Sequence, residues 1–123
     1  MSKTCIVLIA EDDYASRELL KTKLEEHKRE YITVVDGLSA IETIRNNPDV
    51  RLVFMDIRLP EIDGIEAMKK IKQLRKNVVV IAQTAYLYSV DREKQIYLSS
   101  GFDGFIEKPF NLDVVSTIIE KYK

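Results

Sequence analysis

Four short apolar runs stand out along the chain: TCIVLIA (4–10), YITVVD (31–36), RLVFMD (51–56) and NVVVIAQTA (77–85), with a weaker fifth, GFIEK, at 104–108. Runs this continuous and rich in Val and Ile predict strands covered on both faces, as in a parallel sheet. Between them apolar residues recur at helical spacing. Leu19, Leu20 and Leu24 follow the first run, Leu38, Ile41 and Ile44 the second, and Ile65, Met68 and Ile71 the third. Leu112, Val115, Ile119 and Tyr122 close the chain as an amphipathic helix that Asn111 is placed to cap. SVDREKQIYLSSG (89–101) has few apolar positions at that spacing and reads as a helix with a mostly exposed face, stopped at Gly101. Five strand–helix units in strict alternation predict an α/β fold with a doubly wound parallel sheet and helices on both sides. No stretch has the composition of a linker or repeat, so one domain over residues 1–123, with no separate output domain, is expected.

Composition narrows the function classes. With 46% apolar and 32% charged residues the chain is ordinary globular material, and its formal charge of −1 comes from Lys and Arg scattered among Asp and Glu. There is no basic stripe for direct nucleic-acid binding and no polybasic segment for a membrane surface. The apolar runs are too short to span a bilayer, and no leader pattern opens the chain, so no membrane insertion and a cytoplasmic or cytosol-facing location are expected. Cys5 is the single cysteine, which rules out an internal disulfide and a zinc cluster and makes a small buried strand residue the expectation. His27, in the polar helix end LEEHKRE, reads as a solvated surface histidine without a catalytic role.

The chemistry collects at strand ends. In a parallel sheet with right-handed crossovers, all strand C-termini share one edge, where ligands bind. On that edge fall Glu11, Asp12 and Asp13, then Asp56, Thr84, and Lys108 followed by Pro109. Carboxylates held about 4 Å apart repel by about 4 kcal/mol per pair at an effective dielectric near 20. A hard divalent cation with oxygen ligands resolves this, and a few carboxylates with water and a phosphoryl oxygen is how Mg²⁺ is usually held. Lys108 adds a second positive charge. Carboxylate, metal, ammonium and hydroxyl together suit phosphoryl transfer, where positioning and charge neutralisation dominate.

VLIAEDDYASREL, FMDIRLPEIDG, IAQTA and GFDGFIEKPF together resemble the receiver domain of two-component response regulators, over essentially the whole chain. The spacing agrees: Asp56 lies 44 residues after Asp12, Thr84 lies 28 after Asp56, and Lys108 lies 52 after Asp56. The resemblance implies a CheY-like, flavodoxin-like (βα)5 sandwich with strand order 2-1-3-4-5, an order that general descriptions of this fold attach to a chemotaxis member of the family. It implies that Asp56 accepts the phosphoryl group, Glu11 and Asp12 hold Mg²⁺ with Asp56, and Arg58 contributes only its backbone carbonyl to the metal. Arg17, five residues after Asp12, matches an arginine the family often has and selects Glu11 and Asp12 from EDD, leaving Asp13 as a helix cap.

By the same resemblance Thr84 binds a phosphoryl oxygen, and Lys108 pairs with Asp56 and then with the phosphate. Pro109 matches a cis proline that aims Lys108 inward. Gly64 fits a turn glycine that lets the next helix start, and the small Ala85 leaves room for a phosphodonor. Phe105 stands where the family often has a tyrosine, so a Thr84/Phe105 switch here would work by packing, without a hydroxyl. Tyr86, Leu87 and Tyr88 form a loop anchor or a partner patch. Arg58 and Tyr86 are candidates for restricting the water that hydrolyses the acyl phosphate. The implied partners are a histidine kinase or a histidine phosphotransfer domain, and a downstream protein on the face made by the fourth helix, fifth strand and fifth helix. The implied role is that of a stand-alone regulator or a receiver of a hybrid kinase that catalyses its own phosphorylation without being a conventional enzyme.

Rival classes fit less well. A haloacid dehalogenase-like hydrolase wants a second acid two residues after the nucleophile, where Arg58 stands. A flavodoxin needs a hydroxyl- and glycine-rich phosphate loop after the first strand, where EDDYAS repels phosphate unless a metal is bound. A phosphorylation-independent docking module has no need for the full acid set with Thr84 and Lys108.

Overall fold

A computed structural model describes residues 5–85, 99–108 and 110–122. In it the apolar runs become strands β1 (Ile6–Ala10), β2 (Tyr31–Val34), β3 (Val50–Asp56), β4 (Val79–Ala85) and β5 (Gly104–Lys108). All neighbouring pairs are parallel, in the order β2-β1-β3-β4-β5 that the resemblance implied. The strength of each run in the sequence follows its place in the sheet. Interior β1 and β3 are buried almost throughout, whereas edge strands β2 and β5 are largely half-buried. An edge strand has less apolar surface to hide, which explains why GFIEK read as weak.

Four described helices follow: α1 (Tyr14–Glu26), α2 (Gly37–Asn46), α3 (Gly64–Leu74) and α4 (Leu112–Lys121). Each opens on a side-chain cap. Asp13 accepts from the Ser16 N–H at 2.8 Å, Asp36 from Ser39 at 2.7 Å, Asp63 from Glu66 at 2.9 Å and Asn111 from Asp113 at 2.9 Å. The second strand therefore stops at Val34 and not at Asp36, because Asp36 is taken up as a cap. α1 ends in a Schellman turn, with the Lys28 N–H on the Glu25 carbonyl and the Arg29 N–H on the Leu24 carbonyl. Lys28 carries the left-handed conformation at φ 58° that glycine usually takes there.

Alternation along the strands sorts the core into two layers. Leu8, Ala10, Val53, Met55, Val80 and Ala82 face α2 and α3, packing on Ile41, Ile44, Met68 and Ile71. Val7, Ile9, Leu52, Phe54, Ile81 and Ile106 face α1 and α4, packing on Leu20, Leu24, Val115 and Ile119. These are the two covered faces of a doubly wound sheet.

Some sequence expectations need correction. Leu19 is 41% exposed, because adjacent Leu20 takes the inward position and neighbours in a helix cannot share a face. Leu38 and Leu112 are also exposed, each in the first turn of its helix ahead of the residues that pack. His27 is not simply solvated: it caps α1 and bridges to α4, 2.8 Å from Glu120 and 3.2 Å from Ser116. Cys5 lies just ahead of β1 and is half-buried, with the Arg29 guanidinium donating to its sulfur at 3.1 Å. Tyr86, Leu87, Tyr88, Pro109 and most of the helix expected at 89–101 lie outside the described residues. Gly101 does follow helical residues, with φ 122°.

Candidate functional site

Parallel strands bring their C-terminal ends to one edge, and the ladder sets what meets there. Ala10 pairs with Met55, so the next residues, Glu11 and Asp56, lie level across the sheet. Glu11 has no solvent exposure and Asp56 is buried, while Asp12 is exposed. One carboxylate oxygen from each of Glu11, Asp12 and Asp56 lies within 4.8 Å of the others. Lys108, from the end of β5, reaches across β4 and places Nζ 2.6 Å from Glu11 Oε1 and 3.3 Å from Asp56 Oδ2. The four charged residues picked out in the sequence thus converge, with one difference. The resemblance implied Asp56 as the partner of Lys108; the shorter ion pair is with Glu11.

The backbone holds the acids in place. The Asp13 N–H donates to Glu11 Oε2 at 3.0 Å, and Arg17 donates to the Glu11 carbonyl at 3.1 Å, which gives that arginine a structural task. The Arg58 N–H donates to Asp56 Oδ1 at 3.1 Å while the Arg58 side chain lies exposed. Gly64 opens α3 hard against β3: a Cβ there would overlap the Asp56 carbonyl and lie 2.8 Å from the Ile57 Cα. Close approach, and not a positive φ, is what demands glycine here.

Burial sets the electrostatics. Desolvation, followed by its hydrogen-bonding proximity to Asp56, pushes the Glu11 carboxyl up to about 7, against the opposing pull of Lys108. For Lys108 burial is the largest influence and lowers its basicity, but Glu11 and Asp56 together outweigh it and the ammonium is held charged above the ordinary range. Asp13 goes down, chiefly through the Ser16 backbone N–H it accepts from. Three carboxylates facing one ammonium leave an excess of negative charge with oxygen donors, which fits a hard divalent cation.

Thr84 is buried and shares its sheet face with Val80 and Ala82, the α2/α3 side. Phe105 pairs in register with Ala82 and packs partly buried against that same layer, one diagonal from Thr84. Glu11, Asp56 and Lys108 continue the opposite alternation, that of Ile9, Phe54 and Ile106. One residue escaped the sequence reading: Gln83, fully buried and paired in register with Asp56. Its signal was present as an amide inside the apolar run NVVVIAQTA, between Ala82 and Thr84.

The fold and this edge define a flavodoxin-like α/β domain with a cation-compensated acid cluster where its strands end. The chain belongs to the response regulator receiver domain family, whose model matches residues 7–120. It is a receiver domain of phosphorelay signalling. It is 31% identical over 119 residues to sporulation initiation phosphotransferase F of Bacillus subtilis, covering 94% of this chain and 91% of that protein. It is also 31% identical to hybrid signal transduction histidine kinase I of Dictyostelium discoideum, but spans only 7% of that protein's length. Among solved structures, the receiver domain of the response regulator Ssk1, crystallised with the histidine phosphotransfer protein Ypd1 of Saccharomyces cerevisiae, superposes with a TM-score of 0.86. Its identity is 29%, covering 99% of this chain and 90% of that one. No helix among the described residues is long and apolar enough to cross a membrane.

Proposed function

We propose that Asp56 is the phosphoacceptor of this domain and takes a phosphoryl group from a phosphohistidine of a histidine kinase or histidine phosphotransfer protein. The carrying observation is the meeting of Glu11, Asp12 and Asp56 within 4.8 Å beneath the Lys108 ammonium. An Asp56 carboxylate oxygen attacks phosphorus, the bond from phosphorus to the donor imidazole breaks, and the imidazole leaves with its electron pair and takes up a proton. The Arg58 N–H fixes one Asp56 oxygen, which leaves Oδ2 as the attacking atom. Lys108 swings from Glu11 to the phosphoryl oxygens and offsets their charge. Glu11, Asp12, Asp56 and the Arg58 carbonyl would hold Mg²⁺, which supplies charge neutralisation at the transferred group when bound.

Thr84 donates its hydroxyl to a phosphoryl oxygen, and the space it leaves on the α2/α3 face is filled by Phe105 through packing alone. Pro109 aims Lys108, and Arg58 with Tyr86 limits water at the acyl phosphate. A downstream protein reads the change on the side of the domain that carries β5 and α4, together with the helix expected from the sequence at 89–101, most of which lies outside the described residues. The chain acts as a single domain in the cytoplasm, either as a regulator by itself or within a hybrid kinase. Incubation with acetyl phosphate and Mg²⁺ followed by intact mass tests the central claim. One added phosphoryl group is expected, lost in Asp56→Asn; no adduct on the wild-type chain would instead favour a docking module that works without phosphorylation.

A further inference from the structure

Gln83 is the residue this mechanism leaves unused. It has no solvent exposure, and among the described residues neither Nε2 nor Oε1 of its carboxamide has a hydrogen-bond partner. A buried amide without partners is costly and uncommon, so its presence beside a reactive centre asks for a use. The ladder determines what that use can involve. Register partners on adjacent parallel strands send their side chains to the same face, with Cβ atoms about 5 Å apart. Gln83 has Asp56 on one side and Ile106 on the other. Lys108, two residues beyond Ile106, starts from that face and crosses the end of β4 to reach Asp56 and Glu11. The Gln83 side chain therefore starts beside Asp56, on the face that the lysine arm crosses. The ammonium has three N–H donors; one goes to Asp56 Oδ2 and Glu11 Oε1 lies 2.6 Å from Nζ, so these two acids cannot use all three.

We propose that Gln83 is a positioning residue of the phosphoryl site: when Asp56 carries a phosphoryl group, the carboxamide turns to accept the third Lys108 N–H on Oε1 and donates from Nε2 to Asp56. This rests on the reading of Asp56 as phosphoacceptor. A neutral amide suits the task because it orients a cation and a carboxyl oxygen without adding charge to a crowded acid cluster. It also ties the two states together energetically. The amide is unsatisfied at rest and satisfied after phosphorylation, so its resting cost is recovered on transfer and favours the acyl phosphate.

The test uses the full chain, wild type and Gln83→Met, a swap of similar volume. Three readouts are taken: the rate of adduct formation from acetyl phosphate with Mg²⁺, the thermal midpoint without phosphodonor, and the ¹⁵N–¹H signals of the Gln83 side-chain amide before and after beryllofluoride, an acyl-phosphate mimic. Expected are phosphorylation slowed about tenfold in the variant, a midpoint higher than wild type, and wild-type amide signals that move on adding beryllofluoride. The amide measurement needs no variant, so it decides even if Gln83→Met folds poorly. Amide signals that stay put overturn the inference whatever the rates, since slowing alone would then be a packing effect. Equal rates in the two proteins overturn it as well. A wild-type chain that takes no phosphoryl group removes the phosphoacceptor reading and this inference together, whereas normal wild-type phosphorylation with an unmoved amide removes this inference alone.

Discussion

Glu11 is the residue where burial and function oppose each other most directly. Its carboxylate is fully buried, level with Asp56, and held by one ammonium that it shares with that second acid. Glu11→Gln keeps the shape and removes the charge that burial and Asp56 both disfavour. We expect the metal-free protein to gain about 1–2 kcal/mol in a urea titration at neutral pH, since a buried like-charge contact is lost while the Asp56–Lys108 pair survives. The same variant should bind Mg²⁺ weakly, and a loss of stability would mean that the Glu11–Lys108 pair dominates. At this scale the sequence was informative about identity and poor about partners. Asp56, Lys108 and the EDD acids stood out as charges ending apolar runs, but the Glu11–Lys108 pair depends on a side chain reaching across β4. His27 and Cys5 were misjudged for the same reason: their partners lie on a distant helix end and on Arg29.

Elements were legible wherever a periodic pattern coincided with a chemical stop. Asp13, Asp63 and Asn111 cap the helices that follow strand ends or loops, and Asp36 shortens β2 because a cap and a last strand residue cannot be one position. The end of α1 was less readable. Gly101 announced itself as a stop by being glycine, whereas Lys28 takes the left-handed position with nothing in its side chain to show it. Lys28→Gly should therefore stabilise the domain by about 0.5–1 kcal/mol in thermal or chemical unfolding, because relief of the left-handed penalty exceeds the entropy glycine adds to the unfolded chain. No gain would mean that the Lys28 side chain supports the turn. The edge strands show the complementary limit: a half-buried strand needs few apolar residues, so β5 was faint although it carries both Phe105 and Lys108.

For the whole molecule, the acid cluster concentrates negative charge at one rim of an otherwise nearly neutral chain. Any ligand that neutralises this rim only in the folded state must stabilise the fold. At Mg²⁺ about a hundredfold above its dissociation constant the gain is about 2.7 kcal/mol. For a domain of this size that corresponds to a rise in thermal midpoint of about 10 °C. Scanning calorimetry with Mg²⁺ and then with excess chelator checks it: the rise should reverse with chelator and disappear in Asp12→Asn. A midpoint indifferent to Mg²⁺ would leave the cluster without its proposed ion. The architecture itself was legible because alternating strand and helix patterns admit few topologies; the strand order came from the family resemblance, since periodicity alone does not choose among neighbours.

The sheet also separates two tasks along a single strand. Gln83 faces the charged side and Thr84, one step on, faces the packed side with Phe105. Substitution at Gln83 can thus alter the charged face without disturbing the layer that holds Phe105, because adjacent codons answer to different selective demands. Insertion or deletion has no such freedom. Removing one residue from β4 would turn Thr84 toward the acids and Gln83 toward Phe105, exchanging both roles at once, so within this strand evolution can change letters but not length.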